Sequence, residues 1–154
     1  NNILYYLGCG YEGLGKTELA TQAFHAASVG LKEPTSAMYY NDQPPESIFF
    51  QGLALERLGR SEEARTVFQR LVDYAGEHID EAIKMDYFAV SLPDLLIWED
   101  SLNTKNRIHC LYMLALGHYG LGDKTKAMRY LSEVDKLDIN HIGIMQFRSM
   151  IEKI

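Results

Sequence analysis

The chain has 154 residues, 47% of them hydrophobic and 23% charged, and 21 acidic side chains against 15 basic give a formal net charge of -6. That is enough for one domain with a sizeable core needing neither disulfide nor metal, and it excludes a disordered tail. The acidic balance leaves no electrostatic footprint for a polyanion, so nucleic acid is not expected as a partner.

Asn1 falls directly into a helical pattern, which reads as the start of a piece cut from a longer polypeptide. The pattern stops at Gly13-Leu14-Gly15-Lys16 and resumes through Ala20, Phe24 and Ala27. A loop from Pro34 to Pro45 follows, and the Pro pair starts the next helix. That helix ends at Arg57-Leu58-Gly59-Arg60, and its successor carries Ala64, Phe68 and Leu71. The stretch from about Ile79 to Arg107 reads as one or two further helices with a break at Pro93. A third pair turns at Gly120-Leu121-Gly122-Asp123 and continues through Ala127, Leu131 and Val134. The terminal apolar stripe of Ile144, Phe147, Ile151 and Ile154 suits a capping helix, or one that pairs with another chain.

The three Leu-Gly turns bring whole segments into register. Seven residues before each turn glycine stand Gly8, Gly52 and Ala115, and eleven before it Leu4, Ile48 and Leu111. A glycine just past a helix supplies the left-handed conformation that stops it, so each turn predicts an antiparallel helix pair. The small residues let the backbones approach, and Leu and Phe fill the space beside them. One pair cannot bury its apolar face alone; three stacked pairs can.

Leu4, Leu7-Gly8, Tyr11, Gly15, Ala20, Phe24 and Ala27 resemble the tetratricopeptide repeat almost position for position. The second unit keeps Ile48, Gly52, Leu58-Gly59, Ala64 and Phe68 but has Gln51 where an apolar residue is usual. The third has His118 in place of the Tyr, and Ile139 in place of the helix-ending Pro. The resemblance implies an all-α fold, an α-α superhelix built as a solenoid of antiparallel helix pairs. Repeats are expected at about 1–34, 45–78 and 108–141, with a helical insertion at about 79–107 and a capping helix at about 141–154. The turn glycines are 44 and 63 residues apart, against about 34 in a regular array. Tyr87 to Leu96, with Asn106, His109-Cys110 and Leu137 to His141, is also similar to the C-terminal repeat region of large bacterial proteins of uncharacterised function, where a β-rich, carbohydrate-related region precedes the repeats.

Catalytic and metal chemistry finds little support. Cys9 and Cys110 sit in apolar helical contexts and read as small buried hydrophobes. None of His25, His78, His109, His118 and His141 pairs at a spacing that places two ligands on one helix face, so no metal and no cofactor are expected. His109 and Cys110 are adjacent and therefore point apart, which is poor geometry for a base and its nucleophile. Gly10 to Thr17 has the spacing of a phosphate-binding loop, two glycines five apart and then Lys16-Thr17, and nucleotide binding there is a minor alternative. Glu62-Glu63, Glu133 and Asp135 read as solvated outer faces, and Asp94, Glu99 and Asp100 around Trp98 do not define a glycosidase pair. The longest apolar run, Phe88 to Trp98, is interrupted by Ser91, Pro93 and Asp94, so no membrane span is expected.

Helical solenoids bind partners on the concave face made by the first helices. Projection from the core positions lines that face with Tyr5, Cys9 and Glu12, then Phe49, Leu53 and Glu56, then Tyr112, Leu116 and Tyr119. Positions at which chaperone-tail binders of this family carry Lys, Asn and Arg hold Tyr5, Cys9, Phe50, His109 and Met113, which disfavours such tails. An apolar, aromatic lining suits a protein or peptide, or a helix of the same polypeptide. Two readings stand: a non-catalytic scaffold for protein–protein interaction, or a structural region packing only on the rest of a larger, carbohydrate-related parent. Oligomeric state is left open.

Overall fold

Each Leu-Gly turn closes its helix with the same pair of hydrogen bonds. In the first, the Gly15 N–H donates to the Glu12 carbonyl at 2.9 Å and the Lys16 N–H to the Tyr11 carbonyl at 2.9 Å. Gly59 with Arg60, and Gly122 with Asp123, repeat the arrangement on Glu56 with Leu55 and on Tyr119 with His118. The bonds need φ values of 70°, 73° and 85° at the three glycines, a region that side chains with a Cβ resist.

The computed structural model describes residues 1–36, 42–83 and 102–151. Their helices are α1 (Asn2–Gly13), α2 (Thr17–Ala27), α3 (Pro45–Arg57), α4 (Ser61–His78), α5 (Leu102–Gly120), α6 (Lys124–Leu137) and α7 (Ile142–Ile151). No strand occurs among the described residues. The fold is all-α, a stack of the antiparallel pairs α1/α2, α3/α4 and α5/α6. The expected break at Pro93, like Tyr87 to Leu96 and Ile154, lies outside the described residues.

The core follows the register of the repeats. Phe24 and Phe68 lie against Gly8 and Gly52, where a Cβ would collide with the ring; the third pair uses Ala115 and Leu131 at these positions, a larger residue facing a smaller one. Ala64, Leu71, Ala115, Ala127 and Val134 are all fully buried.

Two segments differ from the sequence expectation. α5 starts at Leu102, so residues 102–107, counted with the insertion, are its first turns. They are fixed by Asn106, whose Nδ2 donates to the His78 carbonyl at 2.7 Å, and by an Arg107–Asp80 ion pair at 2.9 Å. Gln51, polar where an apolar residue is usual, is fully buried and donates to the Leu31 carbonyl at 2.9 Å. It pins the chain leaving α2, and farther along the same strap the Thr35 carbonyl accepts from His109 Nε2 of α5 at 2.8 Å.

Candidate functional site

α1, α3 and α5 are the first helices of the three pairs and carry the nine residues expected to line a concave face, which the structure divides into two groups. Tyr5, Phe49, Tyr112 and Leu116 are buried in the core cluster, not open to a ligand. Tyr5 packs its ring between Phe24 and Phe50 with centroids at 5.8 and 5.5 Å, and burial pushes its hydroxyl up from the ordinary range. Tyr112 is buried beside Glu46, and the lost solvation and the neighbouring carboxylate both raise its hydroxyl. Cys9, Leu53 and Tyr119 are half-buried, while Glu12 and Glu56 are exposed. Arg57 reaches across from α3 to Glu12 at 2.9 Å and faces the Tyr5 hydroxyl. Burial raises the Glu56 carboxyl, with Arg57 opposing it.

What covers Phe49, Tyr112 and Leu116 of the first group is α7. The apolar stripe suggested a cap at the end of the stack; α7 instead reaches across to all three first helices. Phe147 meets Phe49 of α3 edge-on at 5.5 Å and Tyr119 of α5 at 5.0 Å. The Tyr6 hydroxyl of α1 lies 3.5 Å from Met150 Sδ, and Arg148 pairs with Asp135 of α6 at 2.9 Å. Ile144 and Phe147 are buried. Gly143 is seated so closely on Tyr112 that a Cβ there would lie 2.5 Å from the ring and hydroxyl. Beneath α7 a cavity of about 240 Å³ remains, bounded by Tyr6, Glu46, Phe50, Leu116 and Phe147 among others. Tyr6, Glu46, Phe147 and Met150 are thus site residues that sequence projection misses. The available signal was the coincidence of an apolar terminal stripe with a concave face too aromatic to face water.

At the foot of α7 the His141 ring sits 4.7 Å from that of Tyr112, and its Nδ1 is buried with no partner among the described residues. Burial lowers both His141 and His109, against the pull of the Glu46 carboxylate on each. Above the unfolded value of about 6.5 both states are neutral; as pH falls below it, only the unfolded chain gains the protons readily, so stability is lost. The urea midpoint is expected to fall between about pH 7.5 and about pH 5.5, and His109→Gln, which keeps a donor for Thr35, to remove part of that fall. An unchanged pH profile in the variant would show that His109 contributes nothing to it.

The phosphate-loop alternative meets a different geometry. Gly10 to Gly13 belong to α1, so a helix stands where a strand is required, and the N–H groups of Leu14, Gly15 and Lys16 are bonded to α1 carbonyls. Cys110 is buried and its thiol is pushed up to about 11 by lost solvation, which suits a packed hydrophobe, not a nucleophile. Among the described residues no group of three or more His, Cys, Asp and Glu is placed to hold a metal, and no helix is long and apolar enough to cross a membrane.

The family model of the tetratricopeptide repeat matches residues 46–78 and 109–137. These ranges cover α3/α4 from Glu46 on and α5/α6 from His109 on. The two matched helix pairs are tetratricopeptide repeats. The pair α1/α2 lies outside the matched residues, yet it has the same turn hydrogen bonds and the same glycine-on-phenylalanine contact as the matched repeat α3/α4. No solved structure matches the chain. Tetratricopeptide repeats generally mediate protein–protein interaction and form non-catalytic scaffolds.

Proposed function

We propose that this chain is a non-catalytic scaffold that binds a protein or peptide on its concave face. The observation that carries the reading is the seating of α7: Phe147 lies between Phe49 and Tyr119, so the face is shaped to take the apolar side of a helix. Beside α7, Cys9, Leu53 and Tyr119 extend the face as a half-buried strip with Glu12 and Glu56 on its rim. Arg57 already answers the Glu12 carboxylate on that rim, so the surface selects a partner chiefly by an apolar middle.

The reading predicts that affinity capture with the full chain yields proteins lost on Leu53→Asp, in the strip, and kept on Glu62→Lys, on the outer helix α4. Circular dichroism checks that both variants stay helical. Identical captured sets for the two variants would remove the concave face from the interaction.

A second reading, a region packing on the rest of its own polypeptide, draws on α1. Leu4 and Leu7 are 36% and 44% exposed, whereas their counterparts Ile48 and Gln51 are 0% exposed beneath the preceding pair. A stacking face therefore stands open on α1, as it would beside a further element of a larger protein.

A further inference from the structure

Three features together describe how α7 is held, and the first sets it apart from the six repeat helices. Those helices pack in close backbone contact, but α7 approaches the body at few backbone positions and holds it mainly through side chains. It has ten residues, too few for a helix to persist without its seat, and it hangs on the short link from Asp138 to His141. Its packing is also incomplete: the 240 Å³ cavity lies under it, and Ile142 and Met145 on its outer side are 72% and 61% exposed.

The seat itself is specific. It requires a small residue where Gly143 meets Tyr112, an aliphatic one at Ile144, an aromatic ring at Phe147 and a basic group at Arg148 facing Asp135. It also takes a long flexible side chain at Met150, against the Tyr6 hydroxyl. Ile144 and Phe147, and again Phe147 and Met150, are three residues apart and so are neighbours on the helix surface, with Phe147 central to the contact.

The geometry points to α7 as an exchangeable occupant of the concave face, replaced in the bound state by an amphipathic helix of another protein that carries the same order: small, aliphatic, two residues, Phe, basic, one residue, Met. This rests on the concave-face reading and names the partner's chemistry. The resident helix then sets the threshold for binding: a partner gains the seat only in the fraction of molecules whose α7 has left it. Apparent affinity is reduced by that fraction.

The test uses a fluorescein-labelled peptide of residues 138–151 and the full chain, read by fluorescence anisotropy. Phe147→Ala in the chain loosens the resident helix. The variant is expected to bind the peptide about 10- to 100-fold more tightly than the unaltered chain, as follows from an open state populated at roughly 1–10%. A peptide with Phe147→Ala, and one with Gly143→Val, are expected to lose at least about tenfold in affinity for the same chain. Equal binding by the variant and the unaltered chain, with the variant still helical, overturns the exchange. Binding that is undiminished by Leu116→Asp in a chain that stays helical would place the peptide elsewhere, and then the concave-face reading fails as well. Amide hydrogen exchange on the unaltered chain gives a readout that needs no variant. Exchange in α7 faster than in α5 supports the proposal, and equal protection of the two overturns it.

Discussion

Replacing Phe68 by Ala is expected to destabilise the folded chain by about 3–5 kcal/mol, the upper range for a buried aromatic. Phe68 on α4 is fully buried and joins three helices: its ring lies against Gly52 of α3 and Gly120 of α5, and 5.8 Å from the ring of Phe49. Removing it empties a space that the two flanking positions, Gly52 and Gly120, have no side chains to fill. Urea denaturation measures the loss directly, and in a thermal scan it corresponds to a fall of roughly 10 °C. A loss below about 1 kcal/mol would mean that the stack collapses around the gap and that the ring is not its keystone.

The second large effect is a contrast between two glycine-to-alanine changes. Alanine in a helix interior is ordinarily worth about 0.5–1 kcal/mol over glycine, and Gly76 on α4, with open space around it, should show that gain. Gly52→Ala reverses the sign. The added methyl runs into the Phe68 ring, and turning the ring away drives it onto Gly120. The cost of overpacking is about 1–3 kcal/mol, which outweighs the propensity gain. Urea midpoints of the two variants should therefore move in opposite directions; a stabilised Gly52→Ala would show that the ring has room to move.

The glycine spacing that makes this contrast was legible in the sequence, as was the stack itself. A Leu-Gly turn is a local signal: the helix end, the left-handed glycine and the two hydrogen bonds lie within six residues. The start of α5 was less legible, because Asn106 and Arg107 are set by partners about thirty residues away, His78 and Asp80, and not by their own periodicity. The site was legible in composition and not in exposure. Projection from one helix assigns Tyr5, Phe49, Tyr112 and Leu116 to an open face, and all four are buried; for Phe49, Tyr112 and Leu116 the reason is where α7 goes. That is decided by tertiary contacts of Phe147 and Gly143 that no helical wheel contains. Gln51 is a similar case: its polarity seemed a departure from the repeat, and its reason lies in the carbonyl of Leu31.

The bond from His109 to the Thr35 carbonyl has a consequence for how the stack comes apart. In a helical array each unit ordinarily feels only its neighbours, so the ends fray independently of the far side. Here the strap leaving the first pair is tied to the first helix of the third. The middle pair holds the same strap through Gln51 on Leu31 and Arg70 on Glu33, so one connecting segment is bonded to both later units and opening the first pair is felt by the second and the third together.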